Sequence, residues 1–445
     1  MPTKARRVAF FHLDLGVGGA EQLVLQTALQ THAVFEESWR LPCTVDVFTS
    51  YFDTDRCLEA SRDPRLNIRV FGSFLPHAIL GRFRVACSIV RMLYLVLAVI
   101  VTGHMGYDLV FNDQVAVVNP LLRLIGRKGT NGATRSKIDV FVDNYFVHQV
   151  IFYGHFPDLL LARRHPSLLR RVYRYPFDKL ESWTTGMCDM VLVNSKFTAE
   201  AFSQTFSSFR KAKPRVLYPP VSKEVEAFQL RSVSGNVDAS FSQLEGFDLS
   251  VPFATSLNRF EENKNVELAI RAVASLPGHI KCNLVIAGGF DPRLPECKSY
   301  FHRLLKLSME LNFRVLGCED AVDANAAVPC EAMFVGILPV ACNTGGPRET
   351  IVDGVTGFLC TPTPECFSAT LERILLLSSQ NPEELAAMCS NAQAHAARTF
   401  SPDVFRRSLK AIIADVTGIC DNNCVEHSQE LAQRVCTARR KRRVA

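Results

Sequence analysis

The chain has 445 residues, enough for two or three domains. Its 48% hydrophobic and 21% charged residues are ordinary globular values, which exclude a disordered, collagenous or coiled-coil protein. Fifty basic against 44 acidic residues give +6, but Arg439, Arg440, Lys441, Arg442 and Arg443 supply five of those charges and leave +1 for the rest. A body so nearly neutral argues against nucleic acid as a partner. The basic run reads as a nuclear address, a membrane-surface patch or solvated chain, and the last two suit the remaining sequence better.

At the N-terminus, MPTKARRVAFFHLD runs straight from basic residues into a short strand, without the apolar core and cleavage site of a signal peptide. Short apolar runs then alternate with amphipathic stretches: VAFFH, a helix from about residue 20, TVDVFTS, NIRVFG, DLVFND, QVIFYGHF, DMVLVNS and RVLYPP. The alternation predicts a mostly parallel, doubly wound α/β sheet. After the Ser-rich stretch RSVSGNVDASFSQLEG a second series follows: PFATSLN, a helix from about 265, CNLVIAGG, another helix, FRVLG, ILPVACN and GFLC. It predicts a second sheet of the same kind. The expected layout is a first domain over 1–220, a linker over 221–250, a second domain over 251–400, and terminal helices with the basic tail over 401–445. Two such domains create a cleft between the carboxyl ends of their strands, where open α/β sheets bind ligands.

Two stretches break the pattern. Residues 85–101, VACSIVRMLYLVLAVIV, are apolar except for Ser88 and Arg91. A bilayer span needs about 20 such residues, so this shorter stretch, preceded by Arg82 and Arg84, suits a helix lying in a membrane interface. A buried core helix is the alternative. Further on, LLLARRHPSLLRRVYRYPFDKL sets Arg163, Arg164, Arg170 and Arg171 among leucines and aromatics. That arrangement fits anionic headgroups or a pyrophosphate, and equally a solvated helix face. The 15 cysteines show no CxxC pair and suit reduced thiols. Cys420, Cys424 and His427 lack a fourth ligand, so no metal site is expected.

Four motifs point to chemistry. In HLDLGVGGAEQ, Gly18 and Gly19 between the first strand and helix allow close approach of a phosphate or sugar to backbone amides; the spacing is not that of a dinucleotide site. In SLNRFEENKN, Arg259 and Lys264 follow the first strand of the second domain. A leaving diphosphate needs such cations, Arg as a two-pronged donor and Lys as a point charge. VIAGG ends in Gly288 and Gly289, which would let a base or ribose approach. Finally, DANAAVPCEAM and CNTGGPRET place Asp323 and Glu331 eight positions apart, with Gly345 and Gly346 as another close-approach loop. Carboxylates there accept hydrogen bonds from sugar hydroxyls.

Taken together, these features resemble the retaining glycosyltransferases of the GT-B fold. FYGHFPDLLLARR, YPFDKLESWTTGMCDMVLVNSKFTAEAF, VLYPPV, SLNRFEENKN and VIAGGFDPR further resemble the dolichol-pathway α-1,3/1,6-mannosyltransferases, over about residues 7–400. The resemblance implies GDP-mannose as donor, no metal or other cofactor, and a Man-GlcNAc2-diphosphodolichol acceptor. It also implies the cytosolic face of the endoplasmic reticulum membrane, with other mannosyltransferases of the pathway as partners. By position, Gly18 and Gly19 would line the phosphate region, Arg259 and Lys264 would hold the GDP diphosphate, His155 would hydrogen-bond the mannose, and Glu331 would meet the ribose. The diphosphate itself would take the acceptor proton.

The sequence departs from that family in places. Asp323, followed by Ala324, Asn325 and Ala326, stands where the family has a glutamate followed by His-Phe-Gly. Only residues 318–330 separate FRVLG from Glu331, too few for a helix and a strand with their connections, so the second domain is expected to be short by one βα unit. Upstream, IGRKGTNGATRSKIDVFVDNYFVHQ adds residues that read as a surface loop. A non-catalytic acceptor-binding scaffold of the same pathway is the alternative function.

Overall fold

A computed structural model describes residues 5–55, 57–79, 83–126, 149–156, 168–206, 213–233, 250–289, 295–316 and 328–419, with residues 209 and 248. The first domain is a seven-stranded sheet built from β1 (Arg6–Leu15), β2 (Cys43–Phe52), β3 (Leu66–Val70), β4 (Leu109–Asp113), β5 (Gln149–Gly154), β6 (Met190–Val193) and β7 (Arg215–Val216). Every pairing is parallel, in the order β3-β2-β1-β4-β5-β6-β7. Each strand falls where an apolar run predicted it. The strand order reverses between β1 and β4, and a crevice opens there at the carboxyl ends.

Both faces of the sheet are covered, which explains why its strands are nearly continuous apolar runs. Helix α1 (Gly19–Ala33) packs on one face, with Leu25 and Ala28 fully buried. Helix α2 (Arg84–Val101) lies on the other, burying Met92, Leu95, Val96 and Val99 completely. Its outer stripe is different: Val90, Leu97 and Val101 are 54%, 51% and 84% exposed. With one side bound to the sheet and the other bare, α2 is neither a free bilayer span nor a wholly buried core helix. Its internal charge is accounted for, because Arg91 is buried against Asp14 on β1 with contacts of 2.8 and 2.5 Å.

Helix α3 (Leu168–Thr185), which carries Pro176, and α4 (Lys196–Thr205) complete the first domain. The expected linker begins as a helix, α5 (Lys223–Val233). Beside it, Val221 and Val225 pack with Met333, Phe334, Ala392 and Ala396 of the second domain. The start of the expected linker, at Val221 and Val225, therefore packs into the second domain's core.

The second domain holds β8 (Phe253–Leu257), α6 (Glu267–Ala274), β9 (Asn283–Ala287), α7 (Pro295–Glu310), α8 (Val328–Phe334), β10 (Val340–Cys342), α9 (Pro347–Thr350), β11 (Phe358–Cys360), α10 (Pro364–Gln380) and α11 (Pro382–Phe400). The expected single sheet is replaced, among the described residues, by two parallel pairs, β8 with β9 and β10 with β11. FRVLG also departs from expectation: residues 313–316 form no strand, and Phe313 packs instead against the core of α6 and α7. In the doubly wound order a fourth strand would lie between β8 and β10. The stretch that would supply it, 317–327, lies outside the described residues. A final helix, α12 (Pro402–Thr417), returns to the first domain and buries Phe405, Leu409, Ile412 and Ile413 beside α1.

Candidate active site

The crevice between β1 and β4 is lined by polar residues that the sheet register brings together. Phe11 pairs with Asn112 and Asp113 with Tyr153, so His12 on β1, Asp113 at the end of β4 and His155 just beyond β5 stand side by side. His12 Nδ1 is 2.7 Å from Asp113 Oδ2, and His155 Nε2 is 2.7 Å from Asp113 Oδ1. On its other side His12 Nε2 faces Glu21 Oε1 at 3.9 Å. Burial works against charge on His12, but its hydrogen bond to Asp113 and the nearby Glu21 carboxylate outweigh it and raise its pKa to about 10. Burial likewise opposes ionisation of Asp113, yet the two histidines hold it down at about 2.

Glu21 ties this row to the glycine motif. Gly18 is the N-cap of α1, and a Cβ placed on it would meet Glu21 Oε2 at 1.9 Å. The carboxylate thus lies over the helix N-terminus, where an anion is favoured. Gly18 makes room for that side chain, while Gly19 borders open space. Burial opposes the charge on Glu21, but His12, the residue's own N–H and Arg259 of the second domain hold its carboxyl below the ordinary range.

In the second domain, Arg259 and Lys264 flank the turn after β8. Both are exposed, and Arg259 lies 3.3 Å from Glu261. Gly288 and Gly289 act on this loop. A Cβ on Gly288 would sit 1.8 Å from the Asn258 carbonyl oxygen, and the Phe260 N–H donates to the Gly289 carbonyl at 2.9 Å. At Gly288 the space its missing Cβ leaves is taken by the chain carrying Arg259, which gives this glycine a packing role of its own. We expect Gly288→Ala to lower the stability of this domain by about 3 kcal/mol, read as a drop in Tm, whereas Gly346→Ala should leave Tm unchanged. Gly345, at φ 65°, and Gly346 border open space.

Glu331, on α8, is buried and engaged by both the backbone and the hydroxyl of Ser222, while burial raises its pKa. It is thereby turned toward the start of α5. Asp323, Arg163 and Arg164, the 127–148 loop, Cys420, Cys424, His427 and the basic tail lie outside the described residues. Arg170 and Arg171 belong to α3, but their side chains are likewise outside them.

Sequence reasoning missed His12, Asp113, Glu21 and Glu349. The first two had a readable signal, a polar residue late in an apolar strand next to the sheet's reversal point. Glu349 had none: its carboxylate accepts the Lys196 and Phe197 N–H groups at 2.9 and 3.2 Å and the Tyr218 hydroxyl at 3.0 Å. It caps α4 of the first domain from α9 of the second, a contact only tertiary structure creates.

The α-1,3/1,6-mannosyltransferase ALG2 of Homo sapiens is 34% identical to this chain over 432 residues, which cover 90% of the chain and 94% of the human protein. The chain belongs to the ALG2 α-1,3/1,6-mannosyltransferase family. The Saccharomyces cerevisiae member is 33% identical over 403 residues, covering 79% of this chain and 72% of its own. Residues 314–395 also match the family Glycosyl transferases group 1. Among solved structures, sucrose-phosphate synthase from Thermosynechococcus elongatus aligns with a TM-score of 0.66 at 17% identity, covering 93% of this chain and 99% of that one. Anabaena HepE, solved with UDP and glucose, aligns at 0.57 and 18%, covering 92% and 100%. These likenesses show the two-domain GT-B fold.

Proposed function

We propose that this chain transfers mannose from GDP-mannose to a Man(1–2)GlcNAc2-diphosphodolichol acceptor, forming α-1,3 and then α-1,6 linkages at the cytosolic face of the endoplasmic reticulum. The observation that carries this reading is full-length similarity to α-1,3/1,6-mannosyltransferases. In the reaction, the bond from the sugar's anomeric carbon to the diphosphate breaks, a bond to the acceptor oxygen forms, and the acceptor proton passes to the departing diphosphate. Arg259 and Lys264 stabilise that leaving group, and no metal or other cofactor enters the scheme. Such stabilisation is usually the largest catalytic term.

The acceptor's lipid accounts for the bare stripe on α2. Val90, Leu97 and Val101 would enter the interface, and basic residues of α3 would meet headgroups. A cavity of about 240 Å³ lies between these helices, lined by Arg84, Ser88, Gln114, Phe177 and Glu181. It adjoins Asp113 through Gln114, a residue at φ 69°, and would receive the acceptor's sugar end.

The test is mannose transfer by the full chain in detergent, from GDP-mannose to a lipid-linked Man-GlcNAc2 acceptor. Mannosylated product is expected, and a folded chain that yields none overturns the reading. For the membrane contact, the chain should float with anionic vesicles and lose flotation in Val90→Asp/Leu97→Asp. Unchanged flotation would reject α2 as the contact.

A further inference from the structure

We propose that Asp113 and His12 are positioning residues for sugar transfer, keeping the His155 ring in place beside the mannose. The proposal rests on the mannosyltransferase reading and on His155 as the sugar-facing residue. Its basis is geometric: one oxygen of the Asp113 carboxylate is hydrogen-bonded to His12 Nδ1 at 2.7 Å, and the other lies 2.7 Å from His155 Nε2 as a close ion-pair contact. Asp113 is 3% exposed and His12 is fully buried, while the His155 side chain is 28% exposed. The row therefore runs from the interior of the sheet to an accessible histidine.

Packing gives no reason for this polarity. Phe10, Phe11 and Leu13 surround His12 on β1 and are all buried, and an apolar residue at 12 would avoid the cost of burying an ionic pair. What the pair does supply is orientation. A carboxylate held 2.7 Å from Nε2 keeps the His155 ring in one place and leaves its Nδ1 for a hydroxyl. Asp113 in turn is kept in place by His12, whose other nitrogen faces Glu21 of α1, itself influenced by Arg259. On β2, the Thr49 hydroxyl is already committed to the Leu13 carbonyl, and on β5 the Tyr153 hydroxyl donates to the Leu217 carbonyl.

A double-mutant cycle tests this. Asp113→Asn should lower kcat about 10- to 100-fold, as loss of an orienting partner does, with KM for GDP-mannose changed less than about 3-fold. In a His155→Ala background the same change should cost almost nothing further, since Asp113 acts through His155. Multiplying losses would overturn the proposal. Because a buried variant can misfold, the unmodified chain supplies a second measurement, histidine 15N shifts in detergent assigned with His12→Gln and His155→Ala. His12 Nδ1 should carry a proton held in a hydrogen bond, as its 2.7 Å contact with Asp113 requires; an unprotonated His12 Nδ1 would overturn the proposal. Failure of the unmodified chain to transfer mannose would instead defeat the mannosyltransferase reading, and the 15N shifts would still decide the arrangement.

Discussion

Lys264→Ala is expected to reduce mannose transfer by two to three orders of magnitude while leaving the fold intact. Lys264 ends the short turn Glu262–Lys264, and Asn265 after it adopts φ 47°, which breaks the turn and lets α6 start two residues later. The ammonium is thus held at the strand end by a defined backbone, yet it is exposed and, among the described residues, forms no ion pair. Its removal uncovers no cavity and strands no buried partner, so the far-ultraviolet circular dichroism and Tm should match the parent. A lost donor to a developing anion typically costs on the order of 10²- to 10³-fold. The loss should appear in kcat, with Lys264→Arg recovering part of it because charge is kept but placed differently. Activity within about 3-fold of the parent would remove Lys264 from the diphosphate site.

Asp14→Asn is expected to give the largest stability change, about 3–5 kcal/mol, because it leaves the Arg91 guanidinium buried without its counter-charge. Arg91 is 2% exposed and holds both Asp14 oxygens, with His77 Nδ1 3.0 Å away. Arg91→Met in the Asp14→Asn background should restore much of the loss, since an apolar chain of similar length fills the space without charge. Urea titration followed by circular dichroism measures both. If Asp14→Asn alone costs under about 1 kcal/mol, the pair is not what fixes α2 to the sheet. The same substitution should also loosen the entrance to the cavity beside Gln114, because α2 forms one of its walls.

The first domain was legible in its sequence because each of its strands is an apolar run bounded by turns, and period and length alone separate them. TVDVFTS and DLVFND could hardly fold otherwise once both sheet faces are covered. The second domain was harder. Its strands are short and half-buried, so FRVLG carries the composition of a strand while its Phe313 is drawn into a helical core. The placement of Arg259 and Lys264 after the first strand of that domain was readable from position. The backbone contact that requires Gly288 could not be read from the sequence, because it depends on what faces the missing Cβ. His12 and Asp113 lie about a hundred positions apart, and only the strand order makes them neighbours.

The return of α12 to the first domain has a consequence for biosynthesis. Phe405, Leu409, Ile412 and Ile413, none more than 3% exposed, complete a core whose other members lie before residue 220. While the ribosome makes the intervening stretch of nearly 200 residues, a matter of roughly 10–40 s, the nascent first domain carries an uncovered apolar trough beside α1. Its closure therefore waits on α12, and a chaperone has that interval in which to occupy the trough.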